Sequence, residues 1–204
     1  MKYIIDKSFS FCYGHRVHNQ RLDTNFTESG DACLACRHLH GHEGLIKVFL
    51  EEDGKGNVAE TGMVTDFKHL GWFKNFLDDT LDHKMILDTK DPLNQEELGY
   101  LINHKGFNPD MIYKMPEGYY VPNLTALDEE LKLSVESQKM SQTEAIAVYE
   151  KYEGIVLVDF VPTSENLTSW LLSVVQEKMK DMPGVRVKAV EYWETPKSHC
   201  KVEV

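Results

Sequence analysis

Three histidines at alternate positions, His38, His40 and His42, form a dense group of potential metal ligands, and an apolar run, Leu45 to Leu50, follows them directly. That run predicts a β-strand. In a strand that begins near His40, alternate residues share one face, so the His40 and His42 imidazoles point the same way. Two imidazoles on one face supply half of a transition-metal site, and a catalytic zinc ion keeps three protein ligands and one open position. His15, at the end of an earlier apolar run, is the first candidate for the third ligand.

Cysteines beside this cluster leave two other interpretations open. Cys33 and Cys36 form a C-x-x-C pair, which could join the histidines in a closed structural zinc site or act as a redox pair. A closed site normally has a second ligand pair at matching spacing, whereas Cys12 and Cys200 are single and distant in sequence. The pattern therefore favours an open, catalytic zinc site.

Asp82-His83 is a second pair that could do chemistry. A carboxylate can orient an imidazole for general acid–base catalysis, but the same dipeptide also occurs where a helix ends in solvent. These two residues alone leave both interpretations open.

The elements that must position these side chains follow from apolar periodicity. Alternation predicts strands over 2–14, 42–52, 185–194 and 199–204, and helical spacing predicts helices that begin near Asp66 and Thr163. Two more helices are predicted near 124–133 and 143–152, with a buried strand at 155–160. Two strands, a helix, an intervening segment, a helix and two strands predict one α+β domain over 1–204, with helices on one face of antiparallel hairpins.

Composition narrows the class of protein. The chain has 204 residues and a formal net charge of −11, without a basic stripe, which argues against nucleic acid as a partner. No apolar run approaches the roughly 18 residues of a membrane span. The start of the chain lacks the pattern of a signal peptide, and four irregularly spaced cysteines favour a reducing, cytoplasmic location.

Six motifs then occur in a family-specific order: Phe11–His15, Cys36-x-x-x-His40-Gly41-His42, Met63-Val64-x-Asp66-Phe67, Leu81-Asp82-His83, Pro162-Thr163-x-Glu165-Asn166 and Glu194-Thr195. Together they resemble the 6-pyruvoyl-tetrahydropterin synthase / 6-carboxy-tetrahydropterin synthase family over residues 2–87 and 158–204. The resemblance implies a tunnelling fold, in which a four-stranded antiparallel sheet carries two helices on one face and subunits assemble as homotrimers or hexamers. Residues 88–157 would then be a large insertion between the helices.

The resemblance also implies roles for individual residues. His15, His40 and His42 would hold zinc. Cys36 would be the catalytic base, because a nearby zinc ion favours its thiolate, and His83, oriented by Asp82, would be the second acid–base group.

Substrate binding is implied for a second set of residues. Glu194 would accept hydrogen bonds from the pterin ring, and Thr163, Ser164 and Glu165 would line the pocket, although Thr163 can equally cap a helix and Glu165 can be a first-turn helix charge. A triphosphate also needs cations, for which the candidates are Arg16, Arg37, Lys68 and Lys84. His38 would be pocket wall or an outer contact, and Cys33 receives no role.

The position of Cys36, four residues before His40, is typical of the carboxy-forming branch of the family, which serves queuosine biosynthesis. The implied reaction is that of a zinc-dependent lyase: 7,8-dihydroneopterin 3′-triphosphate and water give 6-carboxy-5,6,7,8-tetrahydropterin, acetaldehyde and triphosphate. Two alternatives remain. One is a sister activity, pyruvoyl-forming or retro-aldol, and the other is a non-catalytic protein that binds zinc and pterin.

Overall fold

The computed structural model describes residues 2–23, 25–27, 34–54, 57–93, 98–103 and 106–204; Cys33 and His104 lie outside these ranges. The strands are β1 Ile4–His15, β2 His40–Glu52, β3 Lys84–Asp88, β4 Ile102–Asn103, β5 Gly106–Phe107, β6 Ile112–Lys114, β7 Tyr119–Pro122, β8 Ile155–Val158, β9 Val185–Thr195 and β10 Ser198–Glu203. The α-helices are α1 Asn57–Thr61, α2 Gly71–Thr80, α3 Leu124–Glu136, α4 Gln142–Glu153 and α5 Ser164–Met179. Short 3₁₀ turns, Ala35–Arg37 and Phe67–Leu70, precede β2 and α2.

The chain divides into two compact units. The first contains Met1–Tyr13, Gly41–Asp82 and Thr163–Val204, and the second contains Gly14–His40 and His83–Pro162. Within the described ranges, no helix is both long and apolar enough to cross a membrane.

The first unit contains the strands and helices that periodicity predicts. On β1, Phe9, Phe11 and Tyr13 are buried while the residues between them are exposed, as expected for a strand with one apolar face. β9 pairs antiparallel with both β2 and β10. Phe9 meets Phe73 of α2 edge-on, with 5.2 Å between ring centroids, so the helix packs on the apolar face of the strand. The strand and helix predictions for this part of the chain are confirmed.

The second unit has a core of its own, formed by strands and helices of the segment between α2 and α5. β3 pairs with β8 in parallel, and β7 pairs antiparallel with β8 and β6. Leu87 of β3 and Leu157 of β8 join Leu127 of α3 and Ala145 of α4 in one buried cluster. α4 begins with a complete capping box between Ser141 and Glu144, which satisfies backbone donors at the helix start. The predicted helices and the predicted strand near 155 are confirmed.

The expected four-stranded sheet is wrong in strand number. The strands form an eight-stranded sheet in the order β10-β9-β2-β1-β3-β8-β7-β6, with β4 and β5 as a separate pair. The four strands expected from the sequence are consecutive in this order, and the parallel pair β3–β8 makes the sheet mixed. All four residues of β8 are buried. A strand covered on both faces shows no alternation, so periodicity gives no sign of which strand it pairs with.

Candidate active site

The three expected zinc ligands lie together on two strands. His15 is the last residue of β1, and His40 and His42 stand at the start of β2. Their ligand nitrogens all lie within 4.8 Å of one another, with His15 buried and the other two half-buried. Among the described residues, this is the one group of three or more histidine, cysteine or acidic side chains placed to hold a metal ion.

Backbone carbonyl groups orient two of these imidazoles. His15 Nδ1 lies 2.6 Å from the Pro162 carbonyl oxygen, and His40 Nδ1 lies 2.7 Å from the His38 carbonyl oxygen. Because a carbonyl oxygen can only accept, each Nδ1 carries the proton and donates, which leaves each Nε2 as the nitrogen with the lone pair. The two Nε2 atoms face each other at 3.1 Å. Lone pairs at this distance repel unless a cation lies between them, so the donor set fits a metal ion.

Glu194, the expected pterin ligand, lies beside this group. Its Oε1 atom is 3.8 Å from His42 Nε2, and the two side chains are 23% and 19% exposed. Glu194 stands near the end of β9, two residues after Tyr192, so both side chains share one face of the strand. The carboxylate therefore reaches the histidine group from the neighbouring strand.

A pair of tyrosines that the sequence reasoning missed lies behind Glu194 and His42. The Tyr192 hydroxyl donates to the Tyr13 hydroxyl, and the Tyr13 ring centroid lies 6.0 Å from that of His42. Burial raises the pKa of Tyr13 and of Tyr192, and the negative charge of Glu194 raises both further. Both hydroxyls therefore stay neutral at physiological pH. The sequence offers one sign of this pair: Tyr192 stands two residues before Glu194 on β9, so the two side chains lie on the same face of the strand.

Cys36 lies in the 3₁₀ turn before β2 and is half-buried. Its backbone N–H donates to Gln20 Oε1 at 3.1 Å, and its carbonyl oxygen accepts from the Val17 N–H at 2.6 Å. The carbonyl of His38, the residue directly after the turn, accepts from His40 Nδ1, so His38 contacts an expected metal ligand through its backbone. The turn thus connects the expected base to an expected ligand.

Asp82 and His83 follow the end of α2. The Asp82 Oδ1 atom accepts from the Cys12 backbone N–H at 2.6 Å, which ties the helix end to β1. His83 is exposed and has a backbone φ of 58°, a left-handed conformation that is uncommon outside glycine and concentrates at functional sites. Whether Asp82 orients His83 remains a prediction.

The residues expected to line the pocket, Thr163, Ser164 and Glu165, form the start of α5. Thr163 is the N-cap, and its hydroxyl accepts from the Asn166 N–H at 3.3 Å. Thr163 and Ser164 are half-buried, whereas Glu165 is exposed in the first helical turn. Capping accounts for Thr163, and contact of the three with a substrate remains a prediction.

Three of the four candidate triphosphate ligands already bind protein groups. Arg16 Nε lies 2.9 Å from Asp91 Oδ2, Arg37 donates twice to the Gln20 carbonyl, and Lys84 Nζ donates to the Glu153 carbonyl at 2.8 Å. Lys68 is exposed. The arginines therefore hold the protein's own loops.

Comparisons with known proteins bear on this arrangement. The sequence profile of the family described as 6-pyruvoyl tetrahydropterin synthase matches residues 4–204. A relative from Aquifex aeolicus (strain VF5), named 6-carboxy-5,6,7,8-tetrahydropterin synthase, is 35% identical over 100 residues, which are 47% of this chain and 59% of that protein. The matched part of the chain thus spans less than two thirds of this relative.

Among solved structures, an uncharacterized protein from Wolinella succinogenes is 41% identical, with a TM-score of 0.78 over 100% of this chain and 98% of that one. The 6-pyruvoyl tetrahydropterin synthase of Caenorhabditis elegans is 19% identical, with a TM-score of 0.50 over 100% of this chain and 96% of that one, and shows the fold alone. The match of the family profile along almost the whole sequence is decisive: the chain belongs to the 6-pyruvoyl tetrahydropterin synthase family.

Proposed function

We propose that this protein is a zinc-dependent carbon–carbon lyase. It converts 7,8-dihydroneopterin 3′-triphosphate and water to 6-carboxy-5,6,7,8-tetrahydropterin, acetaldehyde and triphosphate, a step in queuosine and 7-deazaguanine biosynthesis. The observation that carries the proposal is the convergence of His15, His40 and His42 within 4.8 Å in a chain of this family. The name of the Aquifex aeolicus relative and the spacing of Cys36 support the carboxy-forming reaction.

The proposed division of labour starts from the three histidines. A zinc ion bound by them supplies a Lewis acid that stabilises negative charge on the oxygen atoms of the substrate side chain. Cys36 acts as the base that removes a side-chain proton, and His83 beside Asp82 transfers the second proton. The carbonyl groups of Pro162 and His38 hold two imidazoles in the tautomer that offers Nε2.

Substrate orientation falls to the residues around this centre. Glu194 accepts two hydrogen bonds, from a ring N–H and from the exocyclic amine of the pterin. Its distance of 3.8 Å from His42 supports this role, because a pterin bound to this carboxylate would lie next to the three histidines. Thr163, Ser164 and Glu165 line the pocket.

We further propose that residues 1–204 form a single tunnelling-fold domain with an insertion at 88–157, which assembles as a cytoplasmic homotrimer or hexamer. Tyr3, Ile4, Met63 and Phe67 are 43–51% exposed and line one surface depression of the first unit. Exposed apolar side chains grouped in this way support association with another subunit. Light scattering should give three or six chains, and a monomer would contradict the assembly.

Mass spectrometry of the reaction products tests the activity. Zinc-loaded wild type should form 6-carboxy-tetrahydropterin and acetaldehyde, and Cys36→Ala should form neither. Cys200→Ala, which removes a thiol of β10, is the matched control and should match wild type. A pyruvoyl product or a retro-aldol product would assign the sister activity instead. If wild type and both variants carry zinc and leave the substrate unchanged, the protein would instead be a non-catalytic protein that binds zinc and pterin.

A further inference from the structure

One short segment binds both backbone polar groups of Cys36. The Val17 N–H donates to the Cys36 carbonyl oxygen at 2.6 Å, and the Cys36 N–H donates to Gln20 Oε1 at 3.1 Å. The Gln20 carbonyl oxygen accepts from Arg37 Nε at 3.0 Å and from Arg37 Nη2 at 2.6 Å. The peptide planes on both sides of Cys36 are therefore fixed by residues 17–20, and these planes set the direction of its Cα–Cβ bond.

Among the described residues, few other contacts support the turn that carries Cys36. It is a 3₁₀ turn without a side-chain cap at its start, closed by backbone bonds from Arg37 to Leu34 at 2.9 Å and from His38 to Ala35 at 3.0 Å. A turn this short has weak hydrogen-bond geometry, so contacts from outside it decide how well the thiol is placed. Gln20 supplies the side-chain contact among them.

Two buried carboxylates anchor the segment that carries Gln20. Arg16 Nε lies 2.9 Å from Asp91 Oδ2, and His18 Nε2 lies 2.9 Å from Asp88 Oδ2. Asp91 and Asp88 are only 1% and 3% exposed, and their Oδ1 atoms accept backbone N–H groups at 2.9 Å in the turn that follows β3. Each carboxylate therefore contacts the segment through Oδ2 and the turn after β3 through Oδ1. These contacts hold the segment against that turn.

We infer that Gln20 is a positioning residue for the Cys36 thiol, and that the turn 88–91, at the start of the proposed insertion, holds the segment that carries it. The inference rests on the proposed function, in which Cys36 is the base. Displacing a reacting group by about 1 Å can lower the rate about 100-fold. The acceptor atom of Gln20 should therefore matter more for turnover than for substrate binding.

The test compares two substitutions at position 20. Gln20→Met keeps the length of the side chain and removes the acceptor, whereas Gln20→Glu keeps an acceptor oxygen for the Cys36 N–H. Gln142→Met, which changes an exposed glutamine of α4, is the matched control. Each protein is assayed for kcat, for KM, for bound zinc, and for the rate at which iodoacetamide alkylates Cys36 relative to the exposed Cys12 in metal-free protein, followed by peptide mapping.

Gln20→Met should lower kcat by about 10- to 100-fold with KM within about threefold of wild type. The alkylation rate of Cys36 relative to Cys12 should rise at least about threefold, because a half-buried thiol freed from its orientation samples solvent. Gln20→Glu should restore both values to within about fivefold of wild type, and zinc content should stay constant. If circular dichroism shows Gln20→Met to be unfolded, Gln20→Asn, which draws the acceptor back by one methylene group, takes its place.

A Gln20→Met protein with wild-type kcat or a wild-type alkylation ratio would overturn the inference, and so would a Gln20→Glu protein as impaired as Gln20→Met. Failure of the proposed function looks different. In that case either wild type itself leaves the substrate unchanged or Cys36→Ala keeps full turnover, whatever the residue at position 20.

Discussion

Removing one partner of the ion pair between Arg16 and Asp91 should destabilise the protein, although the pair contacts none of the proposed reacting groups. Asp91 is 1% exposed and Arg16 is 19% exposed. Removing one partner of a buried pair costs about 3–5 kcal/mol, but Arg16 keeps some contact with water, and asparagine can still accept from the Leu93 N–H. Asp91→Asn should therefore lower the free energy of unfolding by about 2–3 kcal/mol and the melting temperature by about 4–12 °C.

A double-mutant cycle isolates the pair. Arg16→Met, Asp91→Asn and the double variant are unfolded in urea at one protein concentration and one zinc concentration, and the double variant should be less destabilised than the sum of the single ones, by about 1–2 kcal/mol. Asp78→Asn is the control, because the Lys74–Asp78 pair on α2 is 46% and 42% exposed and should contribute less than about 0.5 kcal/mol. A cost below about 1 kcal/mol for Asp91→Asn, or additive single variants, would refute the reasoning.

Three further predictions concern the metal group, the tyrosine pair and the packing beneath it. His15→Ala should lower zinc affinity by more than about 100-fold, whereas His69→Ala should retain one zinc per chain; equal zinc content by elemental analysis after dialysis would contradict the ligand assignment. Because the folded-state pKa of Tyr192 is raised, its contribution to stability is complete below pH 10 and is lost as the pH rises further, at about 1.4 kcal/mol per pH unit. Between pH 9 and 11.5 the free energy of unfolding, measured in urea, should fall with pH less steeply in Tyr192→Phe than in wild type, by about 1.4 kcal/mol per pH unit above pH 10, and parallel curves would exclude the effect. A Cβ atom on Gly44 would lie 2.8 Å from Tyr192 Cε2, whereas one on Gly71 meets nothing within 4 Å, so Gly44→Ala should cost about 1–3 kcal/mol while Gly71→Ala should leave the melting temperature unchanged or raise it.

The convergence of the three histidines could be predicted because their spacing matches the geometry of a strand. His40 and His42 share a face when β2 begins at His40, and His15 ends the apolar alternation of β1. The acceptor for His15 Nδ1 could not be predicted, because the Pro162 carbonyl is 147 positions away in sequence. A backbone carbonyl has no side-chain signature, so the sequence contains no trace of that contact.

The extension of the sheet was missed for a related reason. In β3, Ile86, Leu87 and Asp88 are buried in succession, and such a run lacks the alternation from which strands are recognised. The run also follows the end of α2 within a few residues. Gln20 gave no signal either, since one polar residue in a polar loop looks like any other until its acceptor atom is placed against Cys36.

The second unit joins residues 14–40 to residues 83–162, and this has a consequence for how the family diverges. A segment folded against the loop of the expected base cannot be gained or lost independently of that loop. Under the proposed insertion, Arg16 should accompany Asp91, and His18 should accompany Asp88, in family members that carry the segment, and both pairs should be absent from members that lack it. An alignment with many members of both kinds would show this as correlated substitution at these positions. Deleting residues 89–154 alone should remove Asp91 and so leave Arg16 without its ionic partner.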